Sequence, residues 1–154
     1  MTQEELNEIL ELHAKWLRGE EDGAQALLSF QDLSNLSLVE ADLTRSICVG
    51  TDFTGCDLSE TNFSDSSLKG ALFTGAAVNA TVFDGCNLEK ADFVATELQG
   101  VSFYASDVKD TDFSDASFYE VKAVSTNFEA ANLTNVVYLT EFLEEIVDTA
   151  PTDE

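Results

Sequence analysis

A repeat of five residues runs through most of this chain and leaves few ways to fold it. Counting every fifth position from Leu33 to Leu133, seventeen of twenty-one are Leu or Phe, although those residues make up only 29 of 154 overall. The exceptions are Cys48, Val78, Val108 and Ala123, and the phase never slips. Two residues before each centre, all nineteen positions from Ala41 to Ala131 hold Ala, Ser, Thr, Cys or Val. Two residues after the centre, glycine recurs at positions 50, 55, 70, 75, 85 and 100. A period of five fits neither a helix at 3.6 nor a strand at 2. It fits a chain that turns a corner every five residues. The large centre and the small residue two before it then point inward, and the other three positions face water.

The outward positions agree with this reading. Asp32, Asp42, Asp52, Asp57, Asp92, Asp107 and Asp112 stand just before their centres, as do Asn62, Asn87, Asn127 and Asn132. Asp and Asn suit turns because their side chains bond nearby backbone, and glycine permits the positive φ a corner demands. Proline would remove a backbone donor from a stacking ladder, and it is absent until Pro151.

Segments such as Ala41-Asp42-Leu43-Thr44, Thr51-Asp52-Phe53-Thr54-Gly55, Ala91-Asp92-Phe93 and Ala131-Asn132-Leu133-Thr134 resemble the A-(D/N)-(L/F)-X-X motif of the pentapeptide-repeat family. The resemblance covers about two-thirds of the chain and runs unbroken. It implies an all-β solenoid, a right-handed quadrilateral β-helix with four pentapeptides per coil, so that residues twenty apart stack on one face. The twenty-one pentapeptides then give about five coils, roughly 25 Å tall at about 4.8 Å per coil.

A solenoid needs closed ends. Residues 1–25 are expected to form an N-terminal capping helix and linker, 26–138 the β-helix, and 139–154 a C-terminal capping helix and tail. Thr2 and Glu5 have capping-box spacing. Leu6, Ile9, Leu10, His13, Trp16 and Leu17 then fall on one helical face, and Gly19 ends the helix. The stretch Leu12–Leu17 resembles the leader helix of cyanobacterial members of the family. Leu28 is a degenerate first centre. Leu139, Phe142, Leu143 and Ile146 repeat the amphipathic pattern at the other end.

The formal net charge of -23, with seven Lys and Arg against thirty Asp and Glu, argues against direct nucleic-acid binding and against an anionic membrane surface. With 44% hydrophobic residues the chain is nonetheless a folding one. No signal-peptide pattern or membrane-spanning apolar run is seen, and Cys48, Cys56 and Cys86 match no metal or redox spacing. A cytoplasmic protein with reduced thiols is expected. His13 reads as a structural cap residue and Trp16 as a buried anchor beside it. No histidine remains to activate the many Ser and Thr. No catalytic residue, metal or cofactor is expected, and the chain reads as a non-enzyme.

Two surface features stand out when the repeat is folded by twenties. Asp32, Asp52, Asp92 and Asp112 form an acidic column interrupted by Leu72, which could meet a basic groove or a cation. Leu72, Ala77 and Val82 make an apolar belt around one coil, and Val82, Tyr104, Tyr119 and Val124 form a candidate partner-binding patch. The expected function is a non-catalytic protein-binding scaffold or regulatory adaptor, with another protein as partner; capped ends predict a monomer, the other arrangement being a face-to-face dimer through the apolar patch. The alternative is a DNA mimic that binds or protects a type II topoisomerase. The family resemblance suggests it, since some relatives protect DNA gyrase from quinolones.

Overall fold

A computed structural model describes residues 1–138; residues 139–154, which include the expected second capping helix, lie outside the described residues. From residue 26 the backbone winds as a right-handed quadrilateral β-helix. The register shows the coil length directly. Leu27 bridges Ile47, Asp32 bridges Asp52, Ser37 bridges Asp57 and Asp42 bridges Asn62, all in parallel and all twenty residues apart. Ladder bonds alternate in direction: the Leu33 N–H donates to the Asp52 carbonyl at 2.9 Å, and the Asp52 N–H donates back to Gln31 at 3.0 Å.

Each coil therefore has four faces. The first is centred on Leu33, Phe53, Phe73, Phe93, Phe113 and Leu133, and the second on Leu38, Leu58, Val78, Leu98, Phe118 and Tyr138. Leu43, Phe63, Phe83, Phe103 and Ala123 centre the third, and Leu28, Cys48, Leu68, Leu88, Val108 and Phe128 the fourth. On the second face the pairing lengthens into a parallel sheet of β1 (Val78–Asn79), β2 (Glu97–Gln99), β3 (Ser117–Tyr119) and β4 (Val137–Tyr138).

The alternation of Phe and Leu along the sequence becomes an alternation of faces. Phe columns line the opposed first and third faces, and mostly aliphatic residues line the second and fourth. Within a column the rings stack, with Phe73 and Phe93 4.4 Å apart at 7° and Phe83 and Phe103 5.3 Å apart at 9°. Between columns they meet edge to face, as Phe83 and Phe93 do at 5.6 Å and 87°. Both arrangements suit the ring quadrupole and add about 0.5–1.5 kcal/mol per pair beyond burial.

The small inward residues do more than fill space. The Thr51 hydroxyl donates to the Leu28 carbonyl, Thr61 to Leu38, Ser66 to Leu43, Thr81 to Leu58 and Thr111 to Leu88, each at 2.7–2.9 Å. The same centre carbonyls accept a turn N–H within their own coil, as Leu28 does from Gln31 at 3.1 Å. Both lone pairs are used, and no buried side-chain nitrogen or oxygen among the described residues lacks a partner. This explains how so many buried Ser and Thr are tolerated.

Corners are the strained part of the fold. The residue two after each centre sits at positive φ from Phe30 to Ser125, and only six of those corners are glycine. Fifteen residues other than glycine, among them Glu40, Arg45, Lys90 and Phe30, hold φ between 51° and 61°. Left-handed backbone costs an ordinary residue roughly 1 kcal/mol or more, so the ladder on either side must hold each corner in place.

The N-terminal cap forms as the sequence predicts. Helix α1 (Gln3–Leu17) starts at a Thr2/Glu5 capping box, and Gly19 follows the C-cap at φ 75°. What the sequence does not reveal is that polar cap side chains stand in for a missing coil. The Gln3 amide bonds both the N–H and the carbonyl of Ser37 at 2.9 Å, as a neighbouring strand would. His13 accepts from the Ala26 N–H and bonds the Thr44 carbonyl, both at 3.0 Å. An N–H can only donate and a carbonyl only accept, so His13 is neutral with its proton on Nε2. The helix is anchored by buried Leu6 and His13, not by Trp16. Trp16 is half-buried; it stacks on the imidazole at 5.4 Å and carries the Arg45 guanidinium over its ring at 4.7 Å.

Burial pushes the His13 pKa below its ordinary 6.5. As pH falls below that value the unfolded chain takes up the proton first, so the folded state loses stability, whereas above it the contribution is fully present. The melting temperature of wild type should therefore fall between about pH 7.5 and 5.5. A His13→Asn variant should be less stable at the higher pH and lack this component of the pH dependence; a parallel pH profile for the two proteins would contradict this role.

Candidate functional site

With the interior of the described coils filled, the candidate site is built from the outer positions. Where the residue before a centre is Asp or Asn, its side chain is held by its own turn. The Thr54 N–H donates to the Asp52 carboxylate at 2.8 Å, Val94 to Asp92 at 2.8 Å, Ser64 to Asn62 at 2.9 Å and Glu89 to Asn87 at 3.0 Å. This bond is why Asp and Asn alternate freely at the position, since both offer the same side-chain oxygen.

The acidic column is assembled as the repeat implies. Asp32 bridges Asp52, which bridges Leu72, then Asp92 and Asp112. Asp32 and Asp112 are held below the usual carboxylate range, chiefly by the Ser34 and Ser114 hydroxyls and also by the backbone N–H of those residues. Each carboxylate is thus already engaged by its own turn. Among the described residues no cluster of three or more His, Cys, Asp or Glu is arranged to hold a metal.

The coil spreads charge unevenly. The first face carries Asp32, Asp52, Asp92, Asp112 and Asp115, and the second Glu40, Asp57, Glu60, Glu97 and Glu120; neither has a Lys or Arg. All five repeat cations lie on the other two faces. Arg45 and Lys122 on the third oppose Asp42, Asp65 and Asp84; Lys69, Lys90 and Lys109 on the fourth oppose Glu89, Asp107, Asp110 and Glu129. Lys69 pairs with Glu89 at 2.9 Å.

The four residues of the apolar patch are only partly brought together. Tyr104, 53% exposed, and Val124, 45% exposed, stack in one column of the third face. Val82 is half-buried in the neighbouring column. Asp84 intervenes, accepting from the Ser102 hydroxyl and from the Tyr104 N–H at 3.0 Å. Tyr119 ends β3 on the second face. The belt residues Leu72, Ala77 and Val82 occupy the same position on three successive faces, so they do not form one surface. Cys48, Cys56 and Cys86 are buried, and burial pushes their thiols up to about 12, 11 and 12, which keeps them protonated.

An exposed apolar group at the start of the fourth face went unread. Leu27, Phe30 and Ile47 are all exposed there. With Leu28 as the degenerate first centre, Leu27 and Phe30 fall at outward positions, and that is the signal the sequence carries for them.

The turn bond yields a test. Asp92→Asn keeps the oxygen that Val94 uses and removes a like charge from the column, so its melting temperature should equal or exceed wild type. Asp92→Ala leaves the Val94 N–H without that partner and should cost about 0.5–1.5 kcal/mol by denaturant unfolding. Equal losses in both variants would contradict the structural role.

Comparison with known proteins agrees with this geometry. A model described as a pentapeptide repeat region matches residues 41–115, and one described as pentapeptide repeats (8 copies) matches residues 96–135. The pentapeptide repeat protein Rfr23 from the cyanobacterium Cyanothece 51142 superposes with a TM-score of 0.65 at 15% identity, over 74% of this chain and 88% of that one. A pentapeptide repeat protein from the Arabidopsis thaliana thylakoid lumen gives 0.50 at 27% identity, over 60% and 68%. Trypsin-treated QnrB1, a plasmid-mediated fluoroquinolone resistance protein, gives 0.52 at 17% identity, over 80% and 94%. A comparison with curated proteins gave no match. No helix among the described residues is long and apolar enough to cross a membrane. The twenty-residue register, the filled square core and the two matching repeat models lead to one conclusion: this chain belongs to the pentapeptide-repeat family.

Proposed function

We propose that this chain is a non-catalytic scaffold or adaptor that binds another protein through the outer faces of its solenoid. The observation that carries the reading is the contrast between inside and outside. The core is filled by stacked rings and satisfied hydroxyls, while chemical variety is confined to flat outer faces. Such a surface is extended and preorganised, and preorganisation lowers the ordering cost of association. His13 is committed to the cap and the three thiols are buried. That removes the side chains best suited to base or thiolate chemistry near neutral pH.

Tyr104 and Val124 are the proposed anchors, with Val82 and Tyr119 at the margins. Tyrosine is enriched among the residues that carry most of the binding energy at protein interfaces, and Val124 extends the apolar surface beside Tyr104. The acidic first and second faces favour a partner with basic character on the side that meets them. Affinity capture from source-cell lysate tests this. Wild type should retain a partner that a Tyr104→Glu, Val124→Glu variant loses by about tenfold or more. Equal capture by both would remove the third face from the assignment, and specific capture by neither would sink the adaptor reading.

A second reading, a DNA mimic directed at a type II topoisomerase, is favoured by one observation: ten carboxylates on two adjoining faces without a cation among them. The near balance of charge on the third and fourth faces counts against it, since a duplex is anionic all round. If gyrase supercoiling is neither inhibited nor protected from a quinolone at micromolar protein, the mimic reading fails.

A further inference from the structure

The fourth face carries an apolar feature that neither the core nor the cap uses. Leu27 is 65% exposed, its bridge partner Ile47 is 38% exposed and Phe30 is 79% exposed. Phe30 stands at a corner with φ 61°, a conformation unusual for a bulky aromatic residue. At equivalent corners Asn35 and Asp65 lean a polar group over the glycine of the next coil. Phe30 instead lays its ring over Gly50, where a Cβ would come within 2.7 Å of the ring carbons. With half-buried Val49 beside it, the result is a contiguous apolar surface of the kind that marks interfaces.

Charge indicates what covers it. A second copy brings its own net charge of -23, and the first and second faces would repel it. The fourth face carries three Lys against four acids. Two copies laid with fourth faces together, about a two-fold axis parallel to the solenoid, oppose the residue before each centre to the residue after it at the same level. Ile47 then meets Val49 of the second copy, and Asp107 meets Lys109, each contact occurring twice as an isologous interface requires. Leu27 meets Ser29, and the other three rows set uncharged Ser or Asn opposite Lys or Glu, so no like charges are opposed.

We propose that the fourth face is a homodimer interface, in which a second copy of this chain docks in parallel through Leu27, Phe30, Ile47 and Val49 with reciprocal Asp107–Lys109 pairs. A face about 25 Å tall buries less than the roughly 800 Å² per partner of a standard interface, so the dimer is weak and concentration-dependent. This interface is separate from the third-face anchors, and variants on one face leave the other intact.

Sedimentation equilibrium of the full chain from about 1 to about 500 μM tests it, over the range expected of small interfaces. The expected result is a rise from 16.8 kDa toward twice that mass. Phe30→Asn copies the geometry of Asn35, so the fold should persist by circular dichroism while the dimer weakens about tenfold or more. Leu27→Asn gives a second apolar test, at a position where Asn87 and Asn127 occur in later coils. Lys109→Glu sets like charges opposite Asp107 and should weaken the dimer similarly. A single 16.8 kDa species throughout overturns the proposal. So does a dimer indifferent to Phe30→Asn and Leu27→Asn. Sensitivity to Lys109→Glu alone would point to an antiparallel pairing, with Glu89 opposite Lys109 and Phe30 left in water, and would equally overturn it.

Discussion

The parallel backbone ladder between coils is the interaction on which everything else rests. It requires the chain to return to the same place every twenty residues, which in turn requires a corner every five. From Phe30 to Ser125 every corner holds a residue at positive φ, and most of those residues are not glycine. The strain is distributed over the coils and held by hydrogen bonds on both sides of each corner. No single turn could persist alone; stacking makes each one tolerable.

The same ladder dictates the core. Residues twenty apart lie in column, so a Phe recurring at that spacing must stack on itself, and the opposite column must meet it edge to face. Small inward residues face the carbonyls of the preceding coil, and a hydroxyl or thiol there fills the second lone pair. Apolar packing and polar satisfaction are therefore set by one geometric rule. Where the ladder runs out at the N-terminus, the Gln3 amide and the His13 imidazole supply the bonds that a further coil would have made.

Regularity inside leaves the outside free to vary, and the variation is not uniform. Ten acids lie on two adjoining faces, while every repeat cation lies on the other two. At a Debye length of about 8 Å under physiological salt, a charged partner senses one or two faces at a time. Orientation is thus built into the molecule: the acidic faces favour basic partners, and the more balanced faces can approach surfaces that are themselves acidic.

Sequence alone determined the corner every fifth residue, the inward centres, the capping helix with its Thr2/Glu5 box, and the membership of the acidic column, because each follows from local spacing. It misjudged the cap anchor: Trp16 is the larger side chain, but only His13 has two ring nitrogens placed to meet Ala26 and Thr44 at once. It also treated Val82, Tyr104, Tyr119 and Val124 as one patch, whereas Asp84 and a change of face divide them. Leu27 and Phe30 precede the counted repeat, and Ile47 joins them only through pairing one coil away. Local spacing fixes which way a side chain points. Which side chains become neighbours, and which carbonyl a buried hydroxyl finds, depends on residues a whole coil away, and that only the tertiary structure could decide.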